Sequence, residues 1–158
     1  MTRIGLISDT HGLLRPEAVA FLRGSDRILH AGDIGAAAVL DGLAALAPVT
    51  AVRGNNDCDP WADDVDETAL VRIDDVAIYV VHDVADLRRT PAPRGTRVVV
   101  SGHSHKPGIV ERDGVLYVNP GSAGPRRLTL PIAVAELRID GRHVEAELVE
   151  LAPQPRTR

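Results

Sequence analysis

The sequence predicts a single α/β domain in which two sheets pack face to face and helices cover their outer faces. The first third of the 158 residues alternates short apolar runs with Ala- and Leu-rich amphipathic segments, which is typical of strands that alternate with helices. The remainder contains three pairs of apolar runs, each pair separated by a two-residue turn signal, which favours hairpins. Aromatic residues make up only 3% of the chain, so the core must be built from Val, Leu, Ile and Ala.

The first third is expected to contain parallel strands joined by helices. The predicted strands are 4–7, 27–30 and 49–53, and the predicted helices are 16–23 and 36–47. Pro16 suits the first turn of a helix, and Pro48 ends the second helix. Strands and helices alternate in this way when right-handed crossovers connect neighbouring parallel strands.

The second half is expected to be mostly antiparallel. Its predicted strands are 69–73, 76–81, 97–101, 109–112, 115–119, 132–139 and 143–151. The turn pairs that separate the partners of three predicted hairpins are Asp74-Asp75, Asp113-Gly114 and Asp140-Gly141. The acidic segment 58–67 is expected to be irregular. The domain is predicted to span residues 1–152, and the tail 153–158 is expected to be frayed.

Charge and composition exclude several classes of protein. Lys and Arg number 18 and Asp and Glu number 22, which gives a net charge of −4, so we do not expect nucleic acid as a partner. A single cysteine excludes a disulfide framework and a Cys-rich metal site. No apolar run approaches the roughly 20 residues that cross a bilayer, and the chain opens without a leader pattern. We therefore expect a soluble, cytoplasmic protein with no membrane partner.

Five of the predicted strands end in side chains that can bind a metal ion. These candidate ligands are Asp9, His11, Asp33, Asn55, His82, His103 and His105. The carboxyl ends of strands in an α/β sheet converge on one crevice, so the seven side chains are expected to meet there. Residues i and i+2 of an extended chain point to the same side, which lets Asp9-Thr10-His11 and His103-Ser104-His105 each present two ligands. Oxygen and nitrogen donors without a thiolate suit Mn, Fe, Ni, Co or Zn.

Each motif alone has a simpler interpretation, and the ordered set carries the argument. Asp-Thr-His by itself mostly marks the end of a strand, and Gly54-Asn55-Asn56-Asp57 by itself resembles a turn. Their occurrence in order, each after a strand, resembles the calcineurin-like metallophosphoesterases. The motifs are Asp9-Thr10-His11, Gly32-Asp33, Gly54-Asn55-Asn56-Asp57, His82 and Gly102-His103-Ser104-His105. The segment Asn119-Pro120-Gly121-Ser122 and the lack of a cap domain are similar to the small bacterial and archaeal phosphodiesterase branch.

This resemblance implies a four-layer αββα sandwich and a two-metal centre. It implies that one divalent ion is held by Asp9, His11 and His105, the other by Asn55, His82 and His103, and that Asp33 bridges them. Manganese is the favoured metal, with Ni, Fe, Co or Zn as alternatives. A bridging hydroxide would attack phosphorus in line. Two cations, two carboxylates and a hydroxide leave about +1, which matches a small, monoanionic phosphodiester substrate.

Two residues depart from the family pattern, and a third stands beside the motifs. Asn56 occupies a place where the larger superfamily usually has a His that contacts the phosphate or leaving group, so we expect Asn56 to take a catalytic and substrate-binding position there. Asp83 follows His82 where relatives usually have Gly; it either orients the His82 ring or is a solvated loop residue. His30 is expected to support the structure or orient a ligand rather than bind metal.

Two other functions compete with a phosphodiesterase. The retromer scaffold subunit has a similar fold and acts by holding partners, so a metal-binding scaffold with little turnover is an alternative. A nuclease subunit is disfavoured by the acidic charge, and the pairs Arg88-Arg89 and Arg126-Arg127 are interpreted as solvated surface. Relatives often self-associate, so a homo-oligomer is an open expectation.

Overall fold

The computed structural model, which describes residues 1–127 and 129–151, contains two mixed five-stranded sheets. The elements are β1 (Thr2–Ile7), α1 (Pro16–Leu22), β2 (Arg27–His30), α2 (Ala37–Ala44), β3 (Val49–Ala51), β4 (Thr68–Ile73), β5 (Val76–Val81), β6 (Val98–Val100), β7 (Gly108–Arg112), β8 (Val115–Asn119), β9 (Ala133–Asp140) and β10 (His143–Glu150). Short 3₁₀ helices lie at Pro60–Asp64 and Val84–Arg88. The tail expected to fray, 153–158, lies outside the described residues. Among the helices described, none is long and apolar enough to cross a membrane.

The first sheet combines the parallel start of the chain with its C-terminal hairpin. Its order is β10-β9-β1-β2-β3, with β1, β2 and β3 parallel and β9 antiparallel to β1. The parallel pairs follow from the strand–helix alternation. Neighbouring parallel strands have their carboxyl ends at the same edge of the sheet. Asp9, Asp33 and Asn55 consequently leave the sheet at the same edge.

The second sheet is more parallel than the hairpin signals alone predict. Its order is β4-β5-β6-β8-β7, and the predicted hairpins β4–β5 and β7–β8 are antiparallel. However, β6 pairs in parallel with both β5 and β8. The chain that leaves β6 skips one position and returns as the edge strand β7, so β8 rather than β7 lies beside β6. The parallel pairing of β5 with β6 brings the carboxyl ends of these two strands to the same edge.

The main core lies between the two sheets and is aliphatic. It includes Ile4, Leu6 and Leu29 from the first sheet, and Ile78 and Val100 from the second. Each of these side chains is fully buried. Branched aliphatic side chains on facing pleated surfaces pack well, which explains a core with almost no aromatic residues.

Helices cover the two outer faces unequally. Both α1 and α2 pack on the first sheet through Ala18 and Leu22 and through Val39 and Leu43. The second sheet is covered by the 3₁₀ helix Val84–Arg88 and the chain that follows it. The predicted α/β class with two packed mixed sheets is confirmed, and the fourth layer is reduced to this 3₁₀ helix.

A guanidinium joins three elements of the first sheet and its helix layer. Arg3 on β1 donates through Nε to Glu136 on β9, and through its two other nitrogens to the Phe21 and Arg23 carbonyls at the end of α1, at 2.6 and 3.1 Å. Burial alone would raise the pKa of Glu136, but hydrogen bonds and charge from Arg3 and Arg138 hold that pKa below its usual range. The carboxylate is only 4% exposed, so it depends on these partners.

We expect Arg3→Ala to destabilise the protein by about 2 kcal/mol, because it leaves a buried carboxylate with a single remaining partner. The matched control is Arg138→Ala, whose half-exposed side chain also binds Glu136 and should contribute less than about 1 kcal/mol. A depressed carboxyl pKa stabilises the folded state above the unfolded pKa, and this contribution disappears as pH falls. We therefore expect urea unfolding to show that the wild type exceeds Arg3→Ala in free energy of unfolding, and that this difference is largest near neutral pH and decreases in acid. Equal losses for both variants would contradict the argument.

Candidate metal centre

The seven predicted ligands lie together at one edge of the sandwich. Asp9 and His11 follow β1, Asp33 follows β2, Asn55 follows β3, His82 follows β5, and His103 and His105 follow β6. Both sheets contribute, because the parallel strands of each end at the same edge. The side chains divide into two groups with one carboxylate between them.

The first group contains one carboxylate and two imidazoles. Asp9 Oδ1 lies 3.4 Å from His105 Nε2 and 3.9 Å from His11 Nε2. The three side chains can each offer a ligand atom within 4.8 Å of the others. Asp9 and His105 are buried and His11 is half-buried, so the group is open to solvent mainly through His11.

The second group is organised around the Asn55 amide oxygen. Asn55 Oδ1 lies 2.9 Å from His82 Nε2 and 3.3 Å from His103 Nδ1. His82 Nδ1 faces the Ala31 carbonyl at 2.7 Å and must donate to it, since a carbonyl only accepts. Without a metal, a proton on Nε2 can be donated to Asn55 Oδ1 or to Asp33. Because Nδ1 keeps its proton for Ala31, loss of the Nε2 proton leaves a neutral ring whose Nε2 lone pair is directed to the centre, which is the state that binds a metal.

Asp33 lies between the two groups. Its Oδ2 is 3.3 Å from His82 Nε2 and 3.8 Å from His11 Nε2. Burial alone would raise the pKa of Asp33, but hydrogen bonds from His82 and the Asn56 backbone hold that pKa well below its usual range. The carboxyl is therefore ionised over the ordinary pH range and available to both groups.

Three buried atoms of the first ligand group have no hydrogen-bond partner, and this tests whether a cation fits. Asp9 Oδ1, His11 Nε2 and His105 Nδ1 form no hydrogen bond within the described part of the chain. The other oxygen of Asp9, Oδ2, accepts from Ser8 Oγ at 2.6 Å and from the His103 amide at 3.1 Å. Burial raises the pKa of Asp9, because Ser8 and the nearby imidazoles offset the loss of solvent only partly. A divalent cation is the partner that these atoms lack, so the donor set fits such an ion.

The backbone at the ligands is held in an uncommon conformation. The ligands with a left-handed φ are Asp9 (53°), His11 (47°), Asp33 (54°), His103 (71°) and His105 (63°). Non-glycine residues rarely adopt this region, and each costs of order 1 kcal/mol or more unless the surroundings enforce it. The sequence spacing predicted that these residues converge, and it gave no sign of this conformation.

Close packing of the loops explains two of the neighbouring glycines. A Cβ added at Gly54 would lie 2.2 Å from the Asp33 backbone nitrogen. A Cβ added at Gly102 would lie 2.0 Å from Ser8 Oγ. Neither neighbour can move without displacing a candidate ligand, Asp33 in the first case and Asp9 in the second.

Asp57 joins two of the ligand loops, a role that the sequence analysis did not identify. Its buried carboxylate accepts from the backbone amides of Gly54, Gly35 and Ile34 at 2.9, 3.0 and 3.1 Å. The bond to Gly54, three residues before it, is a local turn signal that the Gly54-Asn55-Asn56-Asp57 motif contained. The bonds to residues 34 and 35 join this turn to the loop of Asp33.

His30 holds two other ligand loops together. The Gly32 amide donates to His30 Nδ1 at 3.0 Å, so the ring proton is on Nε2, which lies 3.0 Å from Thr10 Oγ1. Thr10 in turn donates to the Ile34 carbonyl at 2.8 Å. Complete burial lowers the pKa of His30 to about 3, so the ring is neutral. His30 thus connects the residue between Asp9 and His11 to the loop of Asp33, and both its nitrogens are used in doing so.

Asn56 lies on the Asp33 carboxylate. Its backbone amide donates to Asp33 Oδ1 at 3.0 Å, and its side-chain amide donates to Oδ2 at 3.3 Å. The amide is thus engaged with the central carboxylate, and the expectation that residue 56 reaches a leaving group stays a prediction.

The suggestion that Asp83 orients His82 requires correction. The acceptor for the His82 ring is the Ala31 carbonyl, which comes from a different strand and already occupies Nδ1. Asp83 instead lies with Oδ2 3.7 Å from His103 Nε2, and its Oδ1 accepts from the Ala85 amide at the start of the 3₁₀ helix. It is therefore a neighbour of the other imidazole in the second group.

Comparison with known proteins agrees with this geometry. Residues 2–142 match the model of the calcineurin-like phosphoesterase superfamily domain. A probable metallophosphoesterase of Methanothermobacter thermautotrophicus is 39% identical, over 92% of this chain and 91% of its own. A phosphodiesterase of Methanocaldococcus jannaschii is 30% identical, over 75% of this chain and 82% of its own.

The fold comparison agrees as well. The structure of vacuolar protein sorting 29 from Cryptosporidium parvum superposes with a TM-score of 0.82 at 21% identity, over 96% of this chain and 92% of that one. At this identity the likeness concerns the fold alone. The family match over most of the chain, together with the relative of 39% identity, shows that the protein belongs to the calcineurin-like phosphoesterase superfamily.

Proposed function

We propose that the protein is a divalent-metal-dependent phosphodiesterase with a two-metal centre. The observation that carries the proposal is the division of seven ligands into two groups, with the ionised Asp33 carboxylate between them. Manganese is the metal we favour, since oxygen and imidazole donors without thiolate suit it. The phosphodiesterase relative from Methanocaldococcus jannaschii supports the reaction class.

The proposed assignment of ligands to two ions follows the family resemblance, and the distances within the site support it. Asp9, His11 and His105 would hold one ion, Asn55, His82 and His103 would hold the other, and Asp33 would be shared. Divalent cations in such a centre would neutralise phosphoryl oxygens and make a water molecule nucleophilic near neutral pH. The net reaction adds water across one P–O ester bond and gives a phosphomonoester and an alcohol.

The chain itself supplies orientation and charge balance. Asp9 and Asp33 contribute two negative charges, and the five other ligands are neutral when they bind metal. Two divalent cations would therefore leave an excess of positive charge, which suits a monoanionic diester. The loop bonds of Asp57 and His30 keep the ligands in place before substrate arrives, which limits reorganisation during the reaction.

A protein-binding scaffold is the weaker hypothesis. Its support is likeness of fold, as with vacuolar protein sorting 29, whereas every ligand position in this chain carries a side chain able to bind metal. A cytoplasmic location and self-association stay predictions from the sequence.

We expect the purified protein to bind about two divalent ions per chain. Asp33→Asn should weaken both sites, because the shared carboxylate loses its charge, whereas His11→Ala should weaken mainly one. Calorimetric titration of the metal-free protein with Mn²⁺ and elemental analysis measure this. His143→Ala is the control, since that exposed imidazole pairs with Glu145 on β10. If the wild type retained no metal, this result would contradict the proposal.

An activated aryl phosphodiester should be hydrolysed faster than the corresponding monoester at saturating Mn²⁺, because the loaded centre matches a single negative charge better than two. The ratio of kcat/KM for the two esters is the measurement, with Asp33→Asn as the inactive control. A consistent preference for the monoester would place the enzyme in another branch of the superfamily.

The structure also predicts how Asn56 contributes. If its amide holds Asp33, Asn56→Ala should reduce kcat/KM by about tenfold, by about the same factor for aryl and alkyl leaving groups, and weaken Mn²⁺ binding. The remaining backbone bond to Asp33 limits the loss. The measurement is a series of diesters of rising leaving-group pKa. A loss that grows with leaving-group pKa would instead put Asn56 at the leaving oxygen.

A further inference from the structure

A groove of about 660 Å³ is lined in part by the second ligand group. Asn55, His82 and His103 all contribute to its wall. Tyr79 and Val81, on the strand that leads to His82, also line it. This volume lies in the range of pockets that hold drug-sized organic ligands, so it exceeds what a phosphate alone needs.

Two segments supply the remaining polar lining. Arg53, Glu67 and Thr68 come from the chain after β3 and the first residue of β4, and Asp83, Asp86, Arg89 and Thr90 come from the 3₁₀ helix and the residues that flank it. The groove therefore adjoins one metal group only. A phosphodiester bound at the centre would extend one of its two ester substituents between these segments.

Both guanidinium groups in the groove lie beside a carboxylate, and Asp83 adds a third carboxylate to the lining. Arg53 lies 3.1 Å from Glu67, and Arg89 lies 4.0 Å from Asp86. A second phosphate is bound strongly where guanidinium groups are free to form bidentate contacts, and both guanidinium groups here already face a carboxylate. Hydroxyl groups suit this lining better, because they can donate to the carboxylates and accept from the arginines and threonines.

We infer that the groove binds the second substituent of the phosphodiester, and that this substituent is a neutral, hydroxyl-bearing group of about nucleoside size. The inference rests on the proposed function, because the phosphoryl group must lie at the metal centre. A nucleoside and a sugar alcohol share this chemistry, and substrates distinguish them.

The test uses aryl phosphodiesters with one common p-nitrophenyl leaving group and four second substituents. These are methyl, glycerol, thymidine and thymidine bearing a 3′-phosphate. With the Mn²⁺-loaded wild type we expect kcat/KM for the thymidine ester to exceed that of the methyl ester by about tenfold. An equal gain for the glycerol ester would assign the groove to polyols, and the 3′-phosphate should give no further gain.

Variants locate the effect in the groove. Thr90→Trp places an indole in it without touching a ligand, so it should abolish the advantage of the thymidine ester and leave the methyl ester unchanged. The unchanged methyl ester also shows that the variant is folded. Arg89→Ala should reduce the thymidine advantage by a few-fold, while Arg88→Ala, on the same 3₁₀ helix but outside the groove, should change neither ester.

Three results would overturn the inference. Equal kcat/KM for the methyl, glycerol and thymidine esters would show that the groove is not a subsite. A further gain from the 3′-phosphate that Arg89→Ala removes would make the groove an anion site. An advantage that Thr90→Trp leaves intact would place the substituent elsewhere.

A separate measurement tests the groove even if the protein hydrolyses no phosphodiester. If no diester is hydrolysed, the ¹⁵N-labelled, Zn²⁺-loaded protein is titrated with thymidine and with glycerol, neither of which needs turnover. Shifts of the Thr68, Asp86 and Thr90 amides would support the groove on its own. The absence of shifts with both compounds would reject it independently of catalysis.

Discussion

The arrangement of the candidate metal ligands depends on one buried carboxylate, Asp57, which is not itself a candidate ligand. Asp57 accepts three backbone amides, two from the loop of Asp33 and one from the loop of Asn55. Since bonds to an ionised acceptor are about twice as strong as neutral ones, the three together fix the separation of the two loops. Gly54 permits this approach, because any Cβ there would overlap Asp33. The position of Asp33 between the two ligand groups follows from this contact.

The same loops carry strain that the rest of the fold must offset. Five ligands have left-handed φ values, and none of them is glycine. At about 1 kcal/mol or more each, this cost is comparable to a large fraction of the stability of a small domain. The Asp57 bonds and the chain from Gly32 through His30 and Thr10 to Ile34 oppose it. Bound cations would stabilise the folded state further, since the unfolded chain lacks the site. Strain of this kind belongs to a preformed site rather than to one assembled around substrate.

The sequence predicted what local patterns encode. Apolar runs gave the strands to within a few residues, and polar residues at their carboxyl ends gave the seven convergent ligands, because parallel strands end at a common edge. Contacts between residues far apart in sequence could not be predicted, because no local pattern encodes them. The parallel pairing of β6 with β8 depends on a crossover, and the partner of His82 is the carbonyl of Ala31, 51 residues away. One of the two interpretations of Asp83, that it orients His82, rested on adjacency in sequence, yet successive residues of an extended chain point to opposite sides. Asp57 was interpreted only as part of a turn. Its long-range partners are the backbone amides of Ile34 and Gly35, and a backbone amide gives no signal in the sequence because every residue except proline has one.

The side chain at residue 56 affects which acceptor sites of the Asp33 carboxylate remain for a cation. A carboxylate has about four acceptor sites, and Asn56 occupies two of them while His82 lies against a third direction. These bonds fix the orientation of the Asp33 carboxylate and leave its remaining acceptor directions for a cation. An amide, unlike an imidazole, does not ionise near neutral pH, so this orientation is independent of pH over the range in which histidine titrates. In the proposed reaction Asn56 would therefore act through Asp33, and the groove beside the second ligand group would discriminate between substrates.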